Sequence, residues 1–538
     1  MILHATRKAC GIAIAISLCA GGCHDFEAVG VLAVDTDARV VAQEAGGFDV
    51  RGDARPEGSF EAGPVVVSID ECQGGSATSL DEATVGALVE GDGGPGVTWL
   101  YPYDGTVFPS NLTGPLLMWN DGSIGEDAVY VRMRSSSFDY RLCSKPTAPG
   151  QLQFPQAPWA LAGAGTAGAA DPFSIELRVL TGGRVLEAKA EQVVISAGAL
   201  SGSVYYQTIG VGLGSISRIQ PGQIAQPFLT AIGCVGCHSV SADGSRMIAA
   251  VNDVGTAYTL PAAAGSPSIV GSVPGGESPG IMADGTLYVA SAHPNGMGPK
   301  TYGGAGVMTA GLYETTTGSL VADSGVPTGA MMPAFSRDGG LLVFNDFAID
   351  AGRGLALMDF SEAARTASNY RTLLPSSDKY PAWPSFLPDG RSIVFQLGAS
   401  SEFSGGGAGI LQSVTSGPAG DLVLVDAQTR ATTPLSRAMG FASASDAASG
   451  NTYLPFGIGE SHQNYAPSVS PAATGGYVWL FFDSMRHYGN VGLLRGIWGT
   501  AVDVAASGYT ADPSHPAFYL PGQGMGTGNF RPVAALDR

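Results

Sequence analysis

A short frame ending in Asp-Gly recurs along the second half of the chain and limits what the chain can fold into. It reads Cys237-His-Ser-Val-Ser-Ala-Asp-Gly244, Ser278-Pro-Gly-Ile-Met-Ala-Asp-Gly285, Met332-Pro-Ala-Phe-Ser-Arg-Asp-Gly339 and Trp383-Pro-Ser-Phe-Leu-Pro-Asp-Gly390. An apolar run follows each copy: Met247-Ile-Ala-Ala-Val251, Thr286-Leu-Tyr-Val-Ala290, Leu341-Leu-Val-Phe344 and Ser392-Ile-Val-Phe395. A fifth copy, Ala466-Pro-Ser-Val-Ser-Pro471, has a longer turn before Tyr477-Val-Trp-Leu-Phe-Phe482. Asp-Gly supplies the positive-φ position of a tight hairpin, so each copy predicts strand, turn, strand. Two further strands follow, as in Gly420–Val425 and Thr432–Leu435. Four strands about every 40 to 55 residues make a propeller blade.

The ends of the repeat region supply a sixth blade. Asn529-Phe-Arg-Pro-Val-Ala-Ala-Leu536 carries a Pro in the equivalent place and predicts an innermost strand. Val204–Thr208 and Gly214–Ile219 supply its outer strands, which closes the ring and leaves no free sheet edge. A six-bladed propeller over 203–538 is therefore expected. Upstream, Val97–Tyr101, Pro115–Trp119, Ala128–Met133, Ser174–Val179 and Glu191–Ile195 alternate with a period of two between Gly, Asp, Ser and Pro clusters. That pattern predicts an immunoglobulin- or fibronectin-like β-sandwich over 94–202. Residues 23–93 are Gly-rich and acidic and predict a flexible tether. Its Gly63–Cys72 stretch is the exception, with the makings of an extra docked strand.

Charge and motifs narrow the function. A formal charge of −19 with no basic cluster argues against nucleic acid as a partner. Residues 1–22 read as an export signal, with Arg7 and Lys8 ahead of an apolar stretch too short to span a bilayer. Ala20-Gly-Gly-Cys23 resembles a bacterial lipobox, with Ala where Leu is usual, and makes Cys23 the expected lipidation site. An exported chain holds its thiols oxidised or otherwise occupied. With Cys23 lipidated, Cys72 and Cys143 are free to pair, and Cys234 with Cys237 form a close pair. No Gly-x-Ser-x-Gly elbow, phosphate loop or His-Glu-x-x-His helix occurs, so no catalytic residues are expected.

The pair belongs to Cys234-Val-Gly-Cys-His238, the motif of covalent haem c attachment. Two thiols add to the haem vinyls and the adjacent imidazole becomes the proximal iron ligand. Electron transfer or small-ligand sensing would follow, and haem iron is the one metal expected. The usual host of this motif is a small helical domain, whereas here it runs straight into a strand. The alternative is a local Cys234–Cys237 disulfide and no haem. Alignment of the frames puts His238 level with Pro279, Pro333, Pro384, Pro467 and Pro532, at one mouth of the central channel. His462 or Met332 is the expected sixth ligand, with His293 or His487 behind them, and Arg486 and Arg531 are candidate propionate partners.

The frame Pro-x-aromatic-Ser-Pro-Asp-Gly resembles the blades of TolB-like propellers. Tyr465-Ala-Pro-Ser-Val-Ser-Pro471, Gly475-Gly-Tyr-Val-Trp479, Arg486-His-Tyr-Gly-Asn490 and Asp512–Gly522 look like a group of bacterial propeller lipoproteins that also carry Cys-x-x-Cys-His. The resemblance spans roughly 97–538 and implies a cell-envelope protein, lipid-anchored on the periplasmic or surface side. It also implies a protein or peptide partner at the propeller mouth, as a binding or scaffold alternative to the haem protein.

Overall fold

The computed structural model describes residues 66–72, 80–120, 126–209, 214–230, 235–251, 254–262, 265–274, 279–290, 310–349, 352–398, 418–491, 494–504 and 508–538. The export signal, Cys23, Cys234 and His293 lie outside them. All described residues belong to one compact unit, and strands dominate it.

The first part is a two-sheet structure. Phe173–Thr181 shows how its sequence sets its faces: Phe173, Ile175, Leu177 and Val179 are buried while Ser174, Glu176 and Arg178 are half-exposed. A strand's side chains alternate between faces, so this spelling fixes which side meets the core. Phe173–Thr181 pairs with Ala128–Arg134, Arg184–Glu187 and Glu191–Ile195, and Ala128–Arg134 pairs in turn with Phe138–Ser144. Thr98–Tyr101, Leu116–Asn120 and Gln151–Gln153 form the second sheet.

Part of the stretch expected as tether is ordered. Val67–Glu71 adds to the first sheet as a strand parallel to Phe138–Ser144, and Cys72 is joined to Cys143 by a disulfide. The helix Glu82–Glu90 starts where the Asp81 carboxylate accepts the Thr84 N–H at 2.7 Å. Such a cap satisfies an N–H that the first turn leaves without a partner. Leu88, fully buried, packs with Cys72, Cys143 and Tyr130. Composition alone did not reveal this helix, because a single buried leucine and a disulfide hold it.

The rest is a β-propeller. Among the described residues six small antiparallel sheets follow one another, and their innermost strands are Val235–Val240, Gly280–Ile281, Ala330–Phe335, Tyr380–Phe386, Asn464–Val469 and Gly528–Ala535. Each of these lies against the next around a closed ring, with Gly528–Ala535 meeting both Asn464–Val469 and Val235–Val240. The sheet that closes the ring takes Gly528–Ala535 from the end of the chain and Ser203–Ile209, Gly214–Ile219 and Gln226–Leu229 from the start of the repeat region. The Asp-Gly hairpins form as expected: Gly244, Gly285, Gly339 and Gly390 take φ between 65° and 74°. Asp243 Oδ1 accepts the Ser241 hydroxyl at 2.7 Å and the Ser245 N–H at 2.9 Å, which pins the first of them.

The two parts share a core. Tyr101 meets Tyr488 edge-on at 5.0 Å, Phe108 packs on Phe518 at 5.7 Å, and Tyr519 N–H donates to the Tyr101 hydroxyl at 3.1 Å. One continuous apolar cluster runs from Val97 to Ala534. Burial of aromatic rings on this scale fixes the two-sheet part against the propeller, since each ring contributes roughly 1.5–3 kcal/mol.

Candidate functional site

The residues before four of the frame prolines set the floor of the channel. Met332, Trp383, Ala466 and Arg531 have φ of 45°, 53°, 45° and 48°. A left-handed conformation is costly for a residue with a Cβ, and more so before proline. Each falls where the inner strand loses register with its neighbour: between Met331 and Ala334, Ala382 and Ser385, Tyr465 and Ser468, and Phe530 and Val533. These are β-bulges, which re-aim a side chain out of the pleat. The inner strand of the haem-like motif breaks register at the same place, between Gly236 and Ser239. Cys237 therefore holds the bulge position and His238 the position of the prolines.

The re-aimed side chains meet one another. The Arg531 guanidinium lies over the Trp383 ring at 4.2 Å, and the Trp383 backbone N–H donates to Met332 Sδ at 3.2 Å. Arg531 is tied from both ends: its N–H donates to Asp483 Oδ1 at 3.0 Å and its Nη2 reaches the His238 carbonyl at 3.5 Å. Above this layer, on the side of the Asp-Gly hairpins, is a cavity of ≈ 190 Å³. His238, Pro279, Pro333, Pro384, Pro467 and Pro532 all line it. Five of the six equivalent positions thus present a rigid apolar ring without an N–H, and the sixth presents an imidazole.

His238 is wholly enclosed. Neither ring nitrogen makes a hydrogen bond of ordinary geometry among the described residues. Burial, helped by the nearby Arg531 charge, lowers its pKa to about 3, and the Tyr205 backbone pulls only weakly the other way. The ring is neutral at physiological pH, because loss of hydration penalises the cation. The sequence placed His238 at the rim, at the start of its strand. The bulge instead falls within Val235–Val240, which carries the ring inside the channel.

The other sequence candidates divide between this cavity and elsewhere. Met332 and Arg531 line the cavity with His238, whereas His462, His487 and Arg486 do not. His462 Nδ1 is 2.6 Å from Asp421 and its ring tilts onto Phe441. His487 pairs with Glu460 and stacks on Phe456 at 4.2 Å. Arg486 is buried, donating to the Ala438 carbonyl at 2.9 Å and to Ser484 Oγ at 3.2 Å between Phe482 and Trp498. It braces the sheet that holds Tyr477–Ser484 and lies away from the channel cavity. His462 is thus not brought to His238, and the thioether of Met332 is engaged by Trp383. Sequence reasoning passed over Trp383 and Asp483; the signal for Trp383 was its place immediately before a frame proline.

A haem tests poorly against these residues. An enclosed, neutral imidazole is the right kind of iron ligand. However, a cavity of ≈ 190 Å³ is below the roughly 300–1,000 Å³ that drug-sized ligands occupy, and haem is larger than those. The cavity as it stands is smaller than the macrocycle. No cluster of three or more His, Cys, Asp or Glu side chains suited to a metal ion occurs among them, and no helix among them is long and apolar enough to cross a membrane.

No protein-family profile matches the chain, and no curated protein matches it. Among solved structures, TolB from Acinetobacter baumannii is 14% identical over 74% of this chain and 90% of its own, with a TM-score of 0.39. The putative TolB from Agrobacterium tumefaciens is 16% identical over 44% of this chain and 89% of its own, at 0.22. An oligogalacturonate lyase in complex with manganese is 11% identical over 54% of this chain and 68% of its own, at 0.30. With likenesses this distant, the propeller fold rests on the closed ring of inner strands in this chain.

Proposed function

We propose that this chain is an exported, lipid-anchored cell-envelope binding protein. Its six sheets are the six blades of a TolB-like propeller, and its two-sheet part is an immunoglobulin-like module. The channel cavity on the hairpin face receives a short peptide segment of a partner protein. The observation that carries this reading is the single neutral imidazole in a ring of five prolines. A proline-lined wall loses little entropy when a chain enters, and one imidazole that both donates and accepts gives the segment a fixed orientation. The cavity's size suits a side chain or a chain end.

A photo-crosslinking amino acid at Ala283, on the rim of this cavity, is expected to capture a partner in cells. The same group at Ser445, exposed in the helix Ala444–Ser449, is expected to capture none. Ala242→Trp, which narrows the cavity, is expected to abolish the Ala283 adduct. An adduct insensitive to Ala242→Trp, or one equally strong from Ser445, contradicts the assignment.

The second reading is a haem c attached through Cys234 and Cys237 with His238 as proximal ligand, serving electron transfer or sensing. What favours it is that neither ring nitrogen of His238 makes a hydrogen bond of ordinary geometry among the described residues. It requires the strand Val235–Val240 to leave its place in the ring.

A further inference from the structure

A second cavity, of ≈ 350 Å³, opens where the two-sheet part meets the last sheets of the propeller. Its wall combines aromatic rings with polar groups of both charges. Trp99, Tyr103, Phe441 and Tyr453 supply the rings, and Glu191, Asp104, Arg437 and His515 the polar groups. Tyr103 is only 4% exposed, yet its hydroxyl has no hydrogen-bond partner among the described residues. Glu191 Oε2 is likewise buried and without one. A buried donor or acceptor left unsatisfied costs about 1–3 kcal/mol, so two of them on residues that line one cavity mark a place for another molecule to complete.

The rings are held rigidly. Tyr103 stacks on Trp498 at 6.1 Å with an interplanar angle of 12° and meets Tyr453 at 5.3 Å. The Trp99 indole N–H is committed to the Lys189 carbonyl at 2.9 Å, which fixes its orientation. The polar groups are held as well: Asp104 Oδ1 accepts the Gln192 N–H at 2.7 Å, and His515 Nε2 is 3.0 Å from Asp503.

The chemistry of the wall selects the ligand. Asp104 and Arg437 carry opposite charges, which disfavours a strongly anionic or cationic occupant. Burial, with Asp104 adding to it, raises the Glu191 carboxyl to about 8, so at neutral pH it is mostly protonated and donates as well as accepts. A phenol hydroxyl does both too. Groups that donate and accept, set among ring faces, match a molecule whose hydroxyls do both and whose C–H faces are apolar. We infer that this cavity between the two parts is a binding site for a neutral saccharide, held by Tyr103 and Glu191 against the rings of Trp99 and Tyr453. It is separate from the channel cavity.

The test is saturation-transfer difference NMR on the exported chain with maltose, cellobiose and N,N′-diacetylchitobiose as probes. At least one is expected to give a saturable signal. Tyr103→Phe keeps the stack on Trp498 and removes only the hydroxyl, and is expected to weaken that binding by about fivefold to tenfold. Glu191→Gln, which keeps a donor and an acceptor, is expected to bind within about twofold of the parent, while Glu191→Ala weakens it by about tenfold. Absence of a saturable signal from all three probes overturns the inference. So does unchanged affinity in both Tyr103→Phe and Glu191→Ala, with circular dichroism showing the variants folded.

Discussion

Asp483→Ala is expected to lower the stability of the chain by about 3–5 kcal/mol, read as a fall in the urea midpoint at unchanged slope. Asp483 is fully buried at the seam where the ring closes. It lies 3.4 Å from Arg495, which is itself 1% exposed. Arg495 is sandwiched between Tyr465 at 4.3 Å and Phe530 at 4.9 Å, one ring from each of the two inner strands that meet there. Burial pushes the Asp483 carboxyl up to about 6 against the pull of Arg495, so Asp483 is mostly ionised at neutral pH. Removing one partner leaves the other charge enclosed and uncompensated, which costs far more than the pair contributes. Asp483 also accepts the Arg531 N–H, so the alanine variant loosens the channel floor as well. Asp483→Asn retains an acceptor for that bond and is expected to lose less. Equal stability of the alanine variant and the parent would show that the seam does not depend on this pair.

The second large effect is acid sensitivity from His238. Its pKa is lowered from 6.5 to about 3 by burial, so the folded state holds fewer protons than the unfolded state between those values. Stability from this residue is fully present above pH 6.5 and declines as pH falls toward 3, by about 1.4 kcal/mol per unit. His238→Pro restores the residue found at the five equivalent positions and removes the titrating group. The variant is expected to match the parent at pH 7.5 and to exceed it by about 2–3 kcal/mol near pH 4.5, from urea midpoints at the two pH values. Using the difference between the two proteins cancels the other titrating groups, Asp483 among them. A constant difference across pH would mean that His238 is hydrated in the folded protein.

What was legible in the sequence was what repeats. The Asp-Gly hairpins carry their own backbone signal, so the strands around Gly244, Gly285, Gly339 and Gly390 were readable one unit at a time. The strand sharing that closes the ring was readable because Arg531-Pro532 matched the frame. The alignment of His238 with five prolines was correct in register, yet its depth was missed. A bulge is a two-residue event with no compositional mark, and it alone moves His238 from rim to interior. His462, which leads into an inner strand, and His487, between a second and a third strand, were grouped with it because such loops share one face, but they border other space, where Asp421 and Glu460 pair with them. The Tyr103–Glu191 cavity joins residues far apart in the chain, and the seam joins Asp483 and Arg495 to Arg531 and Phe530 of the last strand. Nothing local in either segment announces the partner. The helix Glu82–Glu90 escaped notice for a related reason, since its one deeply buried residue packs against a disulfide formed elsewhere.

The central claim is that the inner strands close around His238 and leave a binding cavity too small for haem. The most direct measurement is the absorption spectrum of the chain purified from a host that matures c-type cytochromes, beside a control cytochrome made in the same cells. The expected result is a folded, colourless protein, with no Soret band and no reduced α-band while the control shows both. A Soret band that persists after denaturation, and is lost in Cys234→Ser, would contradict the account. It would show that Val235–Val240 opens to seat a haem on His238.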